Sequence, residues 1–309
     1  MRRYVNSKGG WFYTGVDEAW GKPLGTVSFA RETLHDVRSV TKSIVGLLYG
    51  IALDRGLVPP PDAPLLAEFP EYSDLPADSR RVRLSILHAL NMTLGMEWDE
   101  QRSYADPANS ERDLEDAPDR NRFILDRPFV ATPGERWIYS GGAVALVGSL
   151  IANGSGMTLQ DFAREALFAP LGITVFEWAR GNDGIVSAAS GLRLQSYDLL
   201  TIGRMVLAGG EWNGIRVVSR AWLDASFQPV ADTGEGLKYG RLWWIGEATT
   251  PTLPGARRWI AGIGNGGQRL FLMPDADLAT VVFCGAYNAP DGWITPIRIW
   301  REIVLANLA

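Results

Sequence analysis

Ser39 and Lys42 stand three residues apart in the segment His35-Asp36-Val37-Arg38-Ser39-Val40-Thr41-Lys42-Ser43, a hydroxyl and an amine at the mouth of a strongly apolar run. From Val40 to Ala52 the positions Val40, Ile44, Val45, Leu47, Leu48 and Ile51 recur at helical spacing, and Gly56 with Pro59-Pro60-Pro61 supplies the stop. Residues three apart on a helix share a face, so the Lys42 amine can reach the Ser39 hydroxyl. The unpaired N–H groups and partial positive charge of a helix start would stabilise the oxyanion formed when Ser39 attacks a carbonyl. A neutral Lys42 would take the serine proton, which requires its pKa to be lowered by burial or by neighbouring positive charge. A lone Ser-x-x-Lys is weak evidence; what gives it weight is a lysine on the core side of an apolar helix, where a charge needs a reason.

Other chemistries fit less well. There is no Gly-x-Ser-x-Gly elbow, and Gly154-Ser155-Gly156 and Ala189-Ser190-Gly191 read as turns or small-residue packing. A Ser-His-Asp triad could draw only on His35 or His88, and His88, within Ile86-Leu87-His88-Ala89-Leu90, reads as a satisfied core histidine. Cys284 is the sole cysteine, lies in an apolar run and reads as a buried structural thiol. Without HExxH or CxxC spacing, neither a metal nor another cofactor is expected. A formal charge of −5 and a pI near 5.2, with both signs interspersed, exclude a phosphate-backbone partner.

The elements that must position Ser39 and Lys42 follow from the pattern. Helices are expected at Leu84–Leu90, Asp119–Leu125, Gly141–Asn153 and Leu159–Phe168, then at Tyr197–Ala208 with Ser196 as N-cap and Arg220–Ser226 after Ser219. Strands are expected at Tyr239–Ile245, Arg257–Ala261, Arg269–Met273 and Leu278–Gly285, the last two as a hairpin, followed by an amphipathic helix over Thr295–Leu308. The expected architecture is α+β, an α/β sandwich: residues 1–35 and 186–309 form an antiparallel sheet flanked by helices, and 36–185 a mainly helical insertion, with the active site between them. The basic N-terminus has no apolar segment behind it, so a cytoplasmic location is expected. The uncharged stretch Trp137 to Gln160 holds too short an apolar part for a membrane span and is expected to be a buried helix.

Taken together, Leu34 to Gly56, then Tyr139-Ser140-Gly141, then Gly264-Asn265-Gly266-Gly267-Gln268 before a hairpin resemble the three motifs of the serine β-lactamase and penicillin-binding-protein superfamily. Among its members they are most similar to the class C-like carboxylesterases and 6-aminohexanoate-dimer hydrolases. Ala188-Ala189-Ser190-Gly191-Leu192 and Gly209-Gly210-Glu211-Trp212-Asn213-Gly214 extend the likeness, which runs from about Leu34 to Asn288. The resemblance implies a β-lactamase/transpeptidase-like fold and an acyl-enzyme on Ser39. It also implies that the Tyr139 phenol hydrogen-bonds with Ser39 and Lys42 and carries a proton to the leaving group. The N–H of Gln268 would join that of Ser39 in the oxyanion hole, with Asn265, Gly266 and Gly267 as the third motif beside the substrate.

Two departures bear on the substrate. Gly141 replaces the asparagine of the second motif, and Asn265 cannot supply the third-motif cation that meets a β-lactam carboxylate, although Arg257, Arg258 or Arg269 could. The expected substrate is therefore a small carboxylic ester or linear amide. A β-lactamase, a D-amino-acid peptidase or a noncatalytic binder of peptide-like ligands are the alternatives. Trp98, Trp243, Trp244 and Trp293 are candidates for an acyl pocket. Such hydrolases carry an N-terminal helix and two strands before the serine helix; only 38 residues precede Ser39 here, so part of that lead is expected to be missing. Nothing in the sequence assigns an oligomeric state.

Overall fold

A computed structural model describes residues 14–102 and 106–308. The chain enters through a two-stranded ribbon, β1 (Thr14–Ala19) and β2 (Lys22–Ser28), and a short β3 (His35–Asp36) that leads into α1 (Val40–Asp54). Short helices follow: α2 (Ser79–Val82), α3 (Ile86–Leu90), α4 (Ser110–Asp116), α5 (Arg120–Leu125), the longer α6 (Gly141–Ser155), and α7 (Leu159–Ala163). β4 (Glu177–Trp178) and β5 (Leu192–Leu194) join β3 in a small sheet of order β3-β5-β4, and α8 (Ser196–Leu207), the hairpin β6 (Glu211–Trp212) and β7 (Ile215–Arg216), and α9 (Arg220–Ser226) come next.

The main sheet is an antiparallel meander of β8 (Ala231–Asp232), β9 (Lys238–Gly240), β10 (Trp243–Thr249), β11 (Ala256–Gly264), β12 (Gln268–Met273) and β13 (Leu278–Val282), with order β13-β12-β11-β10-β9-β8. A last helix, α10 (Ile294–Arg298), continues in wider and tighter turns to Asn307.

α1 is buried from Val40 to Ala52, the state expected of a helix that is apolar all round. It sits between α6 and one face of the main sheet. Gly262 of β11 lets it come close: a Cβ there would stand 2.9 Å from Val40 Cγ1. Trp222 of α9 presses on Gly50 and donates from Nε1 to the Gly46 carbonyl at 3.0 Å. The other face of the sheet packs Trp259, Phe271 and Met273 against Trp300 and Leu305 of the C-terminal turns. Among the described residues no single helix is long and apolar enough to cross a membrane, and α6 lies largely in the core.

Several expectations are refined. The strand expected over Tyr239–Ile245 is two strands, because Arg241 (φ 40°) and Leu242 (φ 70°) are both left-handed and reverse the chain. Such turns are normally marked by Asn or Gly; here the turn is imposed by Asn91 Oδ1, which accepts from Arg241 N at 2.9 Å, and by the Leu90 carbonyl, which accepts from Leu242 N at 2.9 Å. Ser196 is the first helical residue of α8 rather than its cap, which is Gln195. Ser219 does cap α9, accepting from Trp222 N at 3.2 Å. Residues 14–28, expected to belong with the main sheet, pair only with each other. Their ribbon is tethered to the serine segment by side chains, not by strand pairing.

Candidate active site

The approach to Ser39 is held by buried polar contacts. Val37 N donates to the Leu192 carbonyl at 2.9 Å, continuing the β3–β5 pairing. Arg38 is left-handed (φ 50°), a conformation that costs a branched-chain or long residue energy unless its surroundings enforce it. Asp36 enforces it: Oδ1 accepts from Arg38 N at 2.9 Å and Oδ2 from Trp20 N at 3.0 Å. Burial pushes the Asp36 carboxyl up to about 6 against those two donors. The Arg38 guanidinium is paired with Glu18 of the ribbon. His35 is fully buried, stacked on Phe283, with Nε2 at 3.2 Å from the Cys284 carbonyl; burial lowers its pKa despite Asp17 nearby. It supports the chain before the serine and does not face it.

After this turn α1 begins, and the helical spacing read from sequence delivers its geometry. Lys42 Nζ lies 3.1 Å from Ser39 Oγ and 4.6 Å from the centroid of the Tyr139 ring. The buried phenol lies beside both Ser39 and Lys42. Tyr139 stands just ahead of α6, whose N-cap Ser140 accepts from Ala143 N at 3.1 Å. Burial raises the phenol, and the Lys42 charge opposes that rise.

The charge state expected of Lys42 is reversed. Burial does push the amine down, as the sequence reading required, but Glu100 stands against it, Oε1 at 3.1 Å from Nζ, and with Tyr139 and Glu111 outweighs burial, so the pKa is raised. Lys42 rests as an ammonium. Glu100 is itself held by two further donors on Oε2, Trp98 Nε1 at 2.8 Å and Gly141 N at 2.5 Å.

A second carboxyl, Glu111 on α4, lies beside it; burial and then the Glu100 charge raise it to about 7, while Lys42 pulls the other way. Gly141, where the second motif otherwise has an asparagine, makes room for both: a Cβ there would stand 2.9 Å from Glu100 Oε2 and 3.4 Å from Glu111 Oε1. Neither acid was singled out from sequence. The signal that could have found them is the unanswered charge of Lys42.

The third-motif residues are placed differently from the first two. Asn265 Oδ1 accepts from Asn288 N at 2.8 Å, Gly266 packs on Tyr287, and Gly267 on Cys284 and the Gly292 carbonyl. The Gln268 amide pairs with the backbone of Cys284, donating from Nε2 and accepting from N. The backbone that closes on the serine segment is the end of β11: a Cβ on Gly264 would stand 2.5 Å from the Val37 carbonyl oxygen and 3.1 Å from Arg38 Cβ.

None of the three arginines is a free substitute for the missing cation. Arg269 is buried and donates to the carbonyls of Gly264 and Gln268, and burial lowers it to about 10. Arg257 pairs with Asp275 and Arg258 reaches the Phe227 carbonyl, at the far end of β11. Of the tryptophans, Trp244 packs on Tyr139 with centroids 5.7 Å apart, and Trp137 packs on both. Trp98 serves Glu100, Trp243 is core, and Trp293 is exposed. His88 is not a core histidine but a half-buried cap of α3, its Nδ1 accepting from Ser85 N at 3.1 Å.

A serine hydroxyl, an ammonium and a phenol converging at the start of a buried helix, beneath an antiparallel meander, define a hydrolase of the β-lactamase fold, and the Beta-lactamase family model matches residues 11–292. The chain belongs to that family. It is 26% identical to 6-aminohexanoate-dimer hydrolase of Paenarthrobacter ureafaciens, over 85% of this chain and 69% of that protein. Its fold is shared with a putative 6-aminohexanoate-dimer hydrolase from Bacillus anthracis (TM-score 0.72, 17% identity, 94% of this chain and 78% of the other). It is shared equally with EstCE1, a hydrolase with promiscuous acyltransferase activity (TM-score 0.72, 16% identity, 94% and 92%).

Proposed function

We propose that this chain is a serine hydrolase that forms an acyl-enzyme on Ser39 and turns over small carboxylic esters or linear amides. The observation that carries the reading is the contact of Lys42 Nζ with Ser39 Oγ at 3.1 Å, with the Tyr139 ring centroid 4.6 Å from the same Nζ. Ser39 Oγ attacks the substrate carbonyl and its proton passes to Lys42, which must first release one of its own. The oxyanion forms against the N–H of Ser39, the residue ahead of α1, and the glycine backbone at the Gly264–Gln268 turn, where Gln268 N is the proposed second donor. Tyr139 protonates the leaving oxygen or nitrogen as the tetrahedral intermediate collapses, and water then hydrolyses the ester on Ser39 by the reverse proton movements.

Esters and linear amides are favoured over β-lactams by what surrounds the serine. A β-lactam carboxylate wants a free cation, and Arg257, Arg258 and Arg269 are committed elsewhere. The space beside Gly141, where an amide would meet the substrate, is taken by Glu100 and Glu111. Exchanging a charge-assisted contact for a neutral one loses about 1–2 kcal/mol, and repelling a carboxylate loses more. The test is kcat/KM on p-nitrophenyl acetate or butyrate against nitrocefin, with intact-mass and peptide mapping after fluorophosphonate treatment. The ester should win by at least about tenfold, and the adduct should map to Ser39. Nitrocefin turnover equal to the ester's, or an adduct elsewhere, overturns the reading.

A further inference from the structure

We propose that Glu100 and Glu111 act as one carboxyl pair that takes up a single proton between them, and that this pair is the terminal proton acceptor behind Lys42 when Ser39 is acylated. The inference rests on the serine-hydrolase reading above and answers a difficulty in it. Lys42 is an ammonium at rest, so it cannot take the Ser39 proton until it has given one up. Tyr139 is already protonated, burial having raised its phenol. Among the described residues the carboxylate in contact with Lys42 is that of Glu100, 3.1 Å from Nζ.

Glu100 accepts from Lys42, Trp98 and Gly141, and Glu111 lies beside it. Glu111 Oε1 is buried and has no hydrogen-bond partner among the described residues, and both this oxygen and Glu100 Oε2 converge on the space left by Gly141. Two carboxylates crowded out of water resist double ionisation, so the pair binds its first proton far more tightly than either acid would alone. The groups that face Glu111 are Glu100 and Lys42, then Glu115 on its own helix and Arg38 before α1. Their balance raises Glu111 to about 7, which is where an acceptor works best.

The proton count closes. As the Ser39 Oγ to acyl-carbon bond forms, the serine proton moves to Lys42 and a Lys42 proton moves to the pair. When the bond to the leaving group breaks, Tyr139 gives that group a proton and is refilled from the pair through Lys42. Deacylation repeats the cycle with water. Glu111 touches no reacting atom; it is a positioning residue that acts through Glu100.

The test is the pH profile of kcat/KM for p-nitrophenyl butyrate in the wild type, Glu111→Gln and Glu111→Asp, together with the rate of Ser39 phosphonylation. In the wild type both rates should rise about tenfold per pH unit up to about 7 and then level, because the doubly ionised pair is the competent form. In E111Q the limb should move at least one pH unit lower and the plateau fall by about tenfold or more, the group that titrates at about 7 having been removed; E111D should restore part of both. Infrared titration of the wild type should show a protonated-carboxyl band disappearing over the same pH range, a readout that needs neither turnover nor a folded variant. A limb that stays in place in E111Q, or a wild type with no such band, overturns the proposal. Absence of both turnover and Ser39 labelling in the wild type would instead overturn the serine-hydrolase reading.

Discussion

Replacing Glu100 by glutamine keeps the shape of the side chain and removes only its charge and one acceptor, yet the structure leaves an amide no acceptable orientation. Oε1 accepts from Lys42 Nζ, and Oε2 accepts from Trp98 Nε1 and Gly141 N, so all three partners are donors. Whichever way the amide is turned, its NH2 group meets a donor. The less costly choice keeps the oxygen toward Trp98 and Gly141, and Lys42, which is 1% exposed, then loses its counter-charge. Removing one partner of a buried pair costs about 3–5 kcal/mol because the other charge is left desolvated and unpaired. For a chain of this size each kcal/mol lowers Tm by roughly 2 °C, so E100Q should melt roughly 6–10 °C below the wild type.

The pH dependence has a definite sign. In the wild type the folded Lys42 pKa lies above its unfolded value, so the pair's contribution is complete throughout the neutral range and is lost only as pH rises past the lysine range. In E100Q burial acts on the amine with its main opponent gone, so the folded pKa falls and the cost is greatest at low pH. Calorimetry at pH 6 to 9 should therefore show a Tm gap that narrows as pH rises. A gap under about 2 °C, or one that widens with pH, would refute the account of Lys42 as a buried ammonium held by Glu100.

Lys42→Ala and Tyr139→Phe should each lower kcat on p-nitrophenyl butyrate by about two orders of magnitude or more, with KM moving less, as expected for groups that carry protons in the transition state; near wild-type kcat in either would remove that residue from the mechanism. Gly264→Ala places a methyl group 2.5 Å from the Val37 carbonyl oxygen, a backbone atom that cannot swing aside. It should cost about 1–3 kcal/mol by denaturant titration and displace the turn before Ser39, lowering phosphonylation as well; an unperturbed labelling rate would show that the end of β11 does not brace the nucleophile.

What could be read from the sequence was local. The α1 periodicity, the three-residue spacing of Ser39 and Lys42, and the Tyr139-Ser140-Gly141 break before α6 all reach across a turn or two of chain, and they fold as their patterns require. What could not be read was long-range. Glu100 meets Lys42 across 58 residues, and no pattern in an acidic loop announces that it will be drawn inward. The pKa argument for Lys42 failed for the same reason, since burial was foreseeable and the buried counter-ion was not. The Asn265–Gln268 turn has the glycines its motif needs, yet the side chains on it are engaged by residues 284–288, whose own sequence carries no sign of that partnership.

The Gly141 position also constrains how this site could change by mutation. An asparagine there, the residue of the related second motif, collides at its first side-chain carbon with Glu100 Oε2 while that acid stays bound to Trp98 and Lys42. Removing Glu100 first strands Lys42 and leaves the Gly141 N–H without its acceptor. Each single step is therefore expected to be worse than either end state, and contacting residues of this kind couple by about 0.5–3 kcal/mol. An amide-bearing site and a carboxyl-bearing one stand on separate peaks of a rugged fitness surface. A lineage or a directed-evolution campaign would cross between them only by changing residues 100 and 141 together, or after stability gained elsewhere had made the intermediate tolerable.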